Sequence, residues 1–276
     1  QKTAYEIMPS LVGSEMCIRD RYTEANGWQY NFFVPHDVSG HMDLLGGPEG
    51  YAEMLDEMFS GSSRMSGRHQ SDITGLIGQY AHGNEPSHHM AYLLSYAGYP
   101  ERTQALVDSI CDELYTAEPD GLSGNEDCGQ MSSWYVWSAL GLYPVTPGSD
   151  VYVLGTPRFD AAAWSLPNGS VLEILANRES PESVFIHGWT LDGVSQTRSW
   201  VTHSELMSGG QWAIDLRDEP VAEYGFGKKP EDWPVSDWSL GKDDFIATPY
   251  IRAPRSYSGD RLDVPCLLYT SPSPRD

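Results

Sequence analysis

Three short stretches carry residues that could do chemistry, and HGNEPSHH, residues 82–89, is the densest, with three histidines and one glutamate. Zinc-protease helices present His-x-x-x-His on one face with a glutamate beside them. His88 and His89 are adjacent, so on a helix they point roughly 100° apart and cannot share a ligand face. His82 precedes the predicted helix, and the stretch therefore does not fit a zinc site.

Asn84 and Glu85 lie in the turn that enters this helix and offer carbonyl and carboxylate oxygens. Oxygen ligands of this kind are typical of hard cations such as calcium. An ordinary helix N-terminal cap with solvated histidines is the alternative, and this segment alone leaves it open.

The second stretch, GLSGNEDCGQMSSWYVW, spans residues 121–137 and places Glu126 and Asp127 just before a helix. Acidic residues at a helix N-terminus often serve as caps. The helix that follows is apolar on all sides, which predicts that it is buried. Unpaired carboxylates at the start of a buried helix cost free energy. A pocket that uses these carboxylates is therefore the favoured interpretation.

The third stretch, YTEANGWQYNFFVPHDVSGH, spans residues 22–41 and holds Glu24 among the aromatic residues Tyr22, Trp28 and Tyr30. Aromatic neighbours can desolvate a carboxyl group and raise its pKa, as a general acid requires. A glutamate at the edge of the core is the alternative.

Acidic clusters mixed with Trp, Tyr and His suggest a carbohydrate-cleaving centre. Glycoside hydrolysis needs two carboxyl groups, one that donates a proton to the leaving oxygen and one that activates water or attacks carbon. The spacing of the clusters does not say which carboxyl groups pair, or whether such an enzyme inverts or retains configuration.

Helices are predicted to position all three stretches. Apolar residues recur at helical spacing in residues 48–61, and also in 86–100 and 100–115, which follow each other so closely that they predict an αα-hairpin. Residues 128–144 are apolar all round, which predicts an inner, buried helix.

After Pro147 the pattern changes to short β-type runs, with Asn168-Gly169 and Asp192-Gly193 as hairpin-type turns between them. The predicted strands lie at 150–157, 161–166, 170–177, 183–191 and 211–216. The sequence thus predicts a mixed α and β fold, in which a helical array is followed by an antiparallel β region.

The peptides at the two ends of the chain can be encoded by one DNA sequence read on its two opposite strands. The last residues, CLLYTSPSPRD, can be back-translated to DNA whose reverse complement encodes LVGSEMCIRD, residues 11–20. We therefore expect residues 1–20 and 266–276 to derive from a sequencing adapter. The remainder divides into a helical portion at 21–147, a β-rich region at 148–240, and a linker or the start of a further module at 241–265.

The composition excludes some classes of partner. The chain has 39 Asp and Glu against 17 Lys and Arg, for a net charge of −22, which disfavours nucleic acid because phosphates demand a basic footprint. No apolar run approaches the length of a membrane span. Cys111 and Cys128, the cysteines outside the predicted adapter segments, could form one bridge or remain two free thiols.

Three blocks, in the right order, resemble the signature blocks of glycoside hydrolase family 92. They are YTEANGWQYNFFVPHDV at 22–38, GLIGQYAHGNEPSHHMAYLLSYAGYP at 75–100, and GLSGNEDCGQMSSWYVWSALGLYPVTPGSDVYVLGTP at 121–157. The resemblance runs from Tyr22 to about Trp238. It implies a calcium-dependent, inverting exo-α-mannosidase, with a partial (α/α)6 helical barrel followed by an antiparallel β-sandwich-type region.

The resemblance also implies roles for single residues. Glu24 matches the glutamate of the family's Y-T-E-x-N block and would be the general acid, while Asp127 would be the general base that activates water. Glu126, its neighbour, is not cleanly separated from that role.

Calcium would be held by Asn84, Glu85 and Asp127, and it would bind the vicinal 2- and 3-hydroxyls of mannose, help to distort the ring and position the water. Five further residues would contact the sugar: Trp28, His36, Asp37, His82 and His88.

The implied substrate is a glycan with terminal α-linked, in particular α-1,2-linked, mannose. The family's upstream β-sandwich domain helps to shape the mouth of the active site, and we expect it as a missing partner, without which the pocket is incomplete. The substrate class implies a periplasmic or extracellular protein. Two alternatives stay open: a glucosidase or trehalase with a similar barrel and no calcium, and a non-catalytic glycan-binding protein.

Overall fold

The computed structural model describes residues 24–64, 73–221 and 225–236, which all belong to one compact unit. The predicted adapter segments and the predicted linker or further module lie outside these residues. Within the part of the chain that the structure describes, no helix is long and apolar enough to cross a membrane.

Helices dominate the first part of the chain. They are α1 (Gly27–Phe32), α2 (Val38–Leu44), α3 (Gly47–Ser60), α4 (Glu85–Ala97, with 3-10 character), α5 (Pro100–Leu114) and α6 (Gln130–Ala139). Gly98, with a φ of 81°, ends α4 in a left-handed conformation, as glycine does at many helix C-termini. Only Gly98 and Tyr99 separate α4 from α5, and the two helices pack together, so the predicted αα-hairpin is confirmed.

The inner helix is α4 and not α6. Every residue of α4 from Ser87 to Ala97 is buried, because α1, α2, α3, α5 and α6 all contact it. Helix α6 buries one face through Met131 and Trp134, whereas Val136 is 54% exposed. The prediction of an inner helix at 128–144 is therefore wrong, because burial depends on how many elements pack around a helix and not on its composition alone.

Two sheets follow the helices, and the β-rich region begins a little before the predicted boundary at 148. One sheet has the order β3-β4-β9, with β3 (Leu142–Tyr143), β4 (Val151–Leu154) and β9 (Trp200–Thr202). The other has the order β5-β6-β10-β7-β8, with β5 (Ala161–Ser165), β6 (Val171–Arg178), β7 (Phe185–Leu191), β8 (Val194–Gln196) and β10 (Gly210–Arg217). A small hairpin, β1 (Leu76–Ile77) and β2 (Tyr80–Ala81), lies among the helices. Buried side chains from both large sheets form one apolar core, as in a sandwich.

The turns at Asn168-Gly169 and Asp192-Gly193 join antiparallel neighbours, so both predicted hairpins are confirmed. The expectation of a wholly antiparallel region is corrected at one place, where β6 and β10 pair in parallel. Strand β10 enters the sheet between β6 and β7 only after β8, β9 and helix α7 (His203–Ser208). A tight turn must produce an antiparallel pair, whereas a connection of this length allows a parallel one.

Cys111 is buried and Cys128 is exposed, and both are free thiols. The single bridge that the sequence left open is therefore not formed.

Candidate active site

Three carboxyl groups from distant parts of the chain meet at one place. Glu24 lies in the loop before α1, Glu85 begins α4, and Asp127 lies in the turn before α6. The Nδ2 of Asn84 donates a hydrogen bond of 2.6 Å to the backbone oxygen of Glu24. The carboxyl groups of Glu85 and Asp127 lie within hydrogen-bonding reach of each other, and Glu24 is close enough for its charge to act on Glu85 as well. The structure thus brings together the predicted acid, base and metal-binding residues.

Burial raises the pKa of Glu85, and the neighbouring carboxyl groups of Asp127 and Glu24 raise it further. The Oε1 of Glu85 is buried without a hydrogen-bond partner. A cation bound beside this oxygen would favour the ionised form of Glu85.

The predicted acid and base both have a strained backbone. Among the described residues, four non-glycine residues have positive φ, and three of them lie at this site: Glu24 at 57°, Asp127 at 47° and Cys128 at 58°. The fourth, Asp192, is in a hairpin turn, where such a conformation is ordinary. Strained residues persist only where the surrounding structure imposes the conformation, and they cluster at functional sites.

Two glycines allow the loops of the site to touch through their backbones. A Cβ on Gly83 would overlap the Ser123 backbone oxygen and the Thr74 hydroxyl, and a Cβ on Gly124 would lie 2.8 Å from that hydroxyl. The Gly83 amide donates to the Thr74 backbone oxygen at 3.1 Å. The loop that leads to Glu85 and the loop that leads to Asp127 could not approach this closely with side chains at these positions.

The loop that carries Glu24 is fixed by a helix cap, which the sequence reasoning missed. The Asn26 Oδ1 accepts from the Trp28 amide at 2.9 Å, and the Gln29 Oε1 accepts from the Asn26 amide at 2.6 Å. The Asn26 Nδ2 also donates to the Gln79 Oε1 at 2.9 Å, which ties the loop to the turn between β1 and β2. Asn-x-x-Gln before an apolar run is the capping-box pattern that could have revealed it.

The structure separates Glu126 from Asp127. The Glu126 carboxylate accepts hydrogen bonds from the Ser132 amide at 3.1 Å and from the Ser132 hydroxyl at 2.9 Å. Its side chain therefore stabilises the first turn of α6, while Asp127 turns toward Glu85.

His82 is an internal residue. Tyr115 donates its hydroxyl proton to the Met131 backbone oxygen at 3.1 Å, so the Tyr115 oxygen accepts from the His82 Nε2–H at 2.6 Å. The His82 Nδ1 in turn accepts from the Tyr80 hydroxyl at 2.8 Å. Burial lowers the pKa of His82 to about 2, which keeps the ring neutral.

His88 is also fully buried, and burial lowers its pKa to about 4. Its Nε2 lies 3.0 Å from the His82 backbone oxygen, and its Nδ1 lies 3.2 Å from the Gln130 Nε2. Protein groups therefore occupy both nitrogens of each ring. Sugar contact by His82 and His88 stays a prediction, and the structure shows both rings buried among internal hydrogen bonds.

The other predicted sugar contacts lie at the surface or close to it. Trp28 is partly buried against the helical core, and His36 is exposed in the loop before α2. Asp37 is the N-cap of α2, where its carboxylate accepts from the Gly40 amide at 3.0 Å. Sugar contact by these three residues stays a prediction.

A pocket of about 200 Å³ opens beside Glu24. Two aromatic side chains stand in its wall, Tyr30 with 46% and Phe33 with 52% of its surface exposed. The remaining wall is formed by Ala25, Gln29, Asn84, Pro86, Ser87 and Met90. The predicted acid therefore faces a mostly apolar pocket.

Within the described ranges, no group of three or more His, Cys, Asp or Glu side chains has the arrangement of a metal site. The residues at the acidic cluster nevertheless suit a hard cation better than a soft one. Glu85 offers its buried, unpartnered Oε1, and Asn84 keeps its amide oxygen once its Nδ2 has donated to Glu24. Carboxylate and amide oxygens are the ligands that calcium takes.

The family model described as the glycosyl hydrolase family 92 catalytic domain matches residues 6–218. The chain belongs to this family. The matched range includes all three predicted blocks and starts inside the segment that we expect to be adapter-derived, so that boundary stays a prediction.

The fold is similar to solved family 92 structures from Bacteroides thetaiotaomicron. An α-mannosidase in complex with mannoimidazole superposes with a TM-score of 0.72 and 34% identity, over 77% of this chain and 28% of that one. An inverting mannosidase superposes with a TM-score of 0.67 and 35% identity, over 78% of this chain and 30% of that one. The predicted mixed α and β fold is thereby confirmed.

A curated relative, an uncharacterized secreted glycosidase of Arthroderma benhamiae, is 32% identical over 216 residues, which are 77% of this chain and 26% of that protein. This family 92 chain therefore spans between 26% and 30% of the length of these three relatives.

The buried histidines make the stability of this family 92 chain depend on pH. Burial lowers the pKa of His41 to about 4, below the value near 6.5 expected in the unfolded chain. The folded state thus binds fewer protons between these values, so stability is full above pH 6.5 and is lost as the pH falls toward 4. We expect His41→Phe to reduce the slope of unfolding free energy against pH near pH 5 by about 1.4 kcal/mol per pH unit. Urea unfolding from pH 4.5 to 7.5 measures this slope. An unchanged slope in His41→Phe would contradict the lowered pKa of His41.

Proposed function

We propose that this chain carries the catalytic carboxyl groups of an exo-α-mannosidase, which hydrolyses terminal α-1,2-linked mannose from glycans by an inverting, calcium-assisted single displacement. The observation that supports this most is the meeting of Glu24, Glu85 and Asp127, with strained backbone at the predicted acid and base. Family membership and the likeness to α-mannosidases support the same substrate class.

In this proposal Glu24 donates its proton to the glycosidic oxygen as the bond to the leaving sugar breaks. Asp127 takes a proton from the water that attacks the anomeric carbon on the opposite face. The single displacement converts the α-mannoside into β-mannose. Glu126 has no part in proton transfer, because its carboxylate is engaged by Ser132.

Asn84, Glu85 and Asp127 would hold the calcium ion, as their oxygens fit a hard cation. When bound there, calcium would supply Lewis-acid charge to the vicinal hydroxyls of mannose. Asn84 has a second task that needs no metal, since it holds the backbone of Glu24 through its Nδ2.

The apolar pocket beside Glu24 fits the sugar that leaves. Glu24 lines it and Asp127 does not, which puts it on the side of the acid. We expect Tyr30→Ala and Phe33→Ala to raise KM for α-1,2-mannobiose by roughly ten-fold, because a sugar ring loses an aromatic wall. The KM for an aryl α-mannoside with a small leaving group should change less.

The matched control for this prediction is Phe159→Ala, since Phe159 is also 52% exposed and does not line the pocket. Equal changes in KM for Phe33→Ala and Phe159→Ala would show that the pocket does not bind the substrate.

The test of the function is NMR-monitored hydrolysis of α-1,2-mannobiose by the full-length protein that carries this chain, first with calcium and then with excess EDTA. We expect β-mannose as the first product and no turnover with EDTA. Turnover that is indifferent to EDTA would favour a calcium-independent glycosidase, and sugar binding without any product would favour a glycan-binding protein.

Three broader statements belong to the same proposal. The helical part is a portion of an (α/α)6 barrel, and a β-sandwich domain elsewhere in the full-length protein completes the mouth of the pocket. The protein acts in the periplasm or outside the cell, in keeping with the relative that is called a secreted glycosidase. Fractionation of the producing cells, with activity assayed in each fraction, tests the location.

A further inference from the structure

A partly buried hydrogen bond links the two helices next to the acidic cluster. His88 follows Glu85 by three positions on α4, and Gln130 follows Asp127 by three positions and begins α6. The Gln130 Nε2 and the His88 Nδ1 are 3.2 Å apart. Each partner of this hydrogen bond is therefore three positions along the chain from one of the two carboxyl-bearing residues.

The direction of this bond follows from its neighbours. The His88 Nε2 lies 3.0 Å from the His82 backbone oxygen, and because a carbonyl only accepts, Nε2 must carry the proton. The Nδ1 of His88 is then an acceptor, and Gln130 must present its NH2 group as the donor. His88 thus holds the loop before Glu85 through one nitrogen and the start of α6 through the other.

The His88 side of this link is fully buried, whereas Gln130 is partly exposed. The His88 ring is fully buried, stacks on the His82 ring at 4.7 Å, and is covered by Trp134, whose Nε1 donates to the His88 backbone oxygen at 3.1 Å. The burial of the His88 ring therefore fixes the acceptor end of the hydrogen bond and strengthens it.

Local chain geometry does not set the distance between Glu85 and Asp127, because they belong to different segments that meet through the packing of α4 and α6. The two carboxyl groups nevertheless lie within hydrogen-bonding reach of each other. We infer that His88 and Gln130 are a positioning pair, which holds Asp127 at a fixed place against Glu85 without touching the substrate. The inference rests on the proposed function of these two carboxyl groups.

The full-length protein tests the pair by kinetics. His88→Gln and Gln130→Leu should each lower kcat for α-1,2-mannobiose by about 10²-fold, the effect of displacing a catalytic group by about 1 Å, with little change in KM. The double variant should lose no more than either single one, because both break the same link. His88→Asn, which keeps an acceptor oxygen at the δ position, should recover about ten-fold of that loss.

The matched control is Tyr92→Phe. The Tyr92 hydroxyl donates to the Ser138 Oγ at 2.8 Å in a second hydrogen bond between α4 and α6, which is fully buried and lies farther along both helices from the carboxyl groups. Its loss should leave kcat within about two-fold of the native value. Equal losses of kcat in Tyr92→Phe and His88→Gln would overturn the pair and leave only general helix packing.

A second measurement separates this inference from the proposed function. If the native protein hydrolyses no α-mannoside, the proposed function fails. The positioning pair can then still be tested by the NMR chemical shifts of the carboxyl carbons of Glu85 and Asp127. These shifts should move in Gln130→Leu and stay unchanged in Tyr92→Phe. Shifts that do not move in Gln130→Leu would overturn the pair as well.

Discussion

Replacing Asp127 by asparagine should lower kcat for α-1,2-mannobiose by about 10⁴-fold, the upper end of what general acid–base catalysis contributes. An amide cannot take the proton of the attacking water, although it has the shape of the carboxylate. The Asp127 side chain is exposed, so the change empties no position in the core. The free energy of unfolding should stay within about 0.5 kcal/mol of the native value.

The matched control for Asp127→Asn is Glu126→Gln, the same change of charge one position earlier. The amide oxygen of glutamine can still accept from Ser132, so the first turn of α6 should hold. We expect kcat within about three-fold of the native value. Loss of turnover in Glu126→Gln together with an active Asp127→Asn would exchange the roles of the two residues.

Replacing Glu24 by glutamine should lower kcat for α-1,2-mannobiose by about 10³-fold, because the sugar leaving group needs a proton. The loss should shrink to about ten-fold or less for 2,4-dinitrophenyl α-mannoside, since this leaving group departs without one. Kinetics with both substrates measure the contrast. The backbone bond from Asn84 reaches the Glu24 carbonyl and is retained in the variant.

Glu118→Gln is the control for Glu24→Gln, since Glu118 is exposed in the loop after α5. Its rates on both substrates should match those of the native protein. An equal loss on both substrates in Glu24→Gln would show that Glu24 binds the sugar or supports the fold, and the general acid would have to be sought elsewhere.

The helices and strands were largely predictable because their signals are local. Residues 48–61 show apolar positions at helical spacing, and the structure has α3 there, with Tyr51, Leu55 and Met58 buried. Asn168-Gly169 and Asp192-Gly193 sit where tight turns need positive φ, and both form hairpins. The choice of inner helix failed, since composition does not say that five other helices converge on α4.

The sequence names the carboxyl groups that the structure brings together, whereas their catalytic and metal-binding roles stay predictions. The patterns around Glu24, Glu85 and Asp127 indicated carboxyl groups for acid, base and hard-cation chemistry. The sequence did not distinguish Asp127 from Glu126, because adjacent residues share composition and spacing. The positive φ values of Asp127 and Cys128 turn one carboxyl group toward Glu85, while Ser132 engages the other.

The sequence by itself determined the family, the longer helices and strands, and the carboxyl groups present at the site, because these follow from short-range backbone geometry and side-chain chemistry. Only the tertiary structure decided which groups meet. Asn84 reaches Glu24 across 60 positions, and Gln130 reaches His88 across 42. Such contacts depend on how whole helices pack. The same packing buries His82 and His88 and gives both rings internal hydrogen-bond partners, which the spacing of the histidines does not indicate.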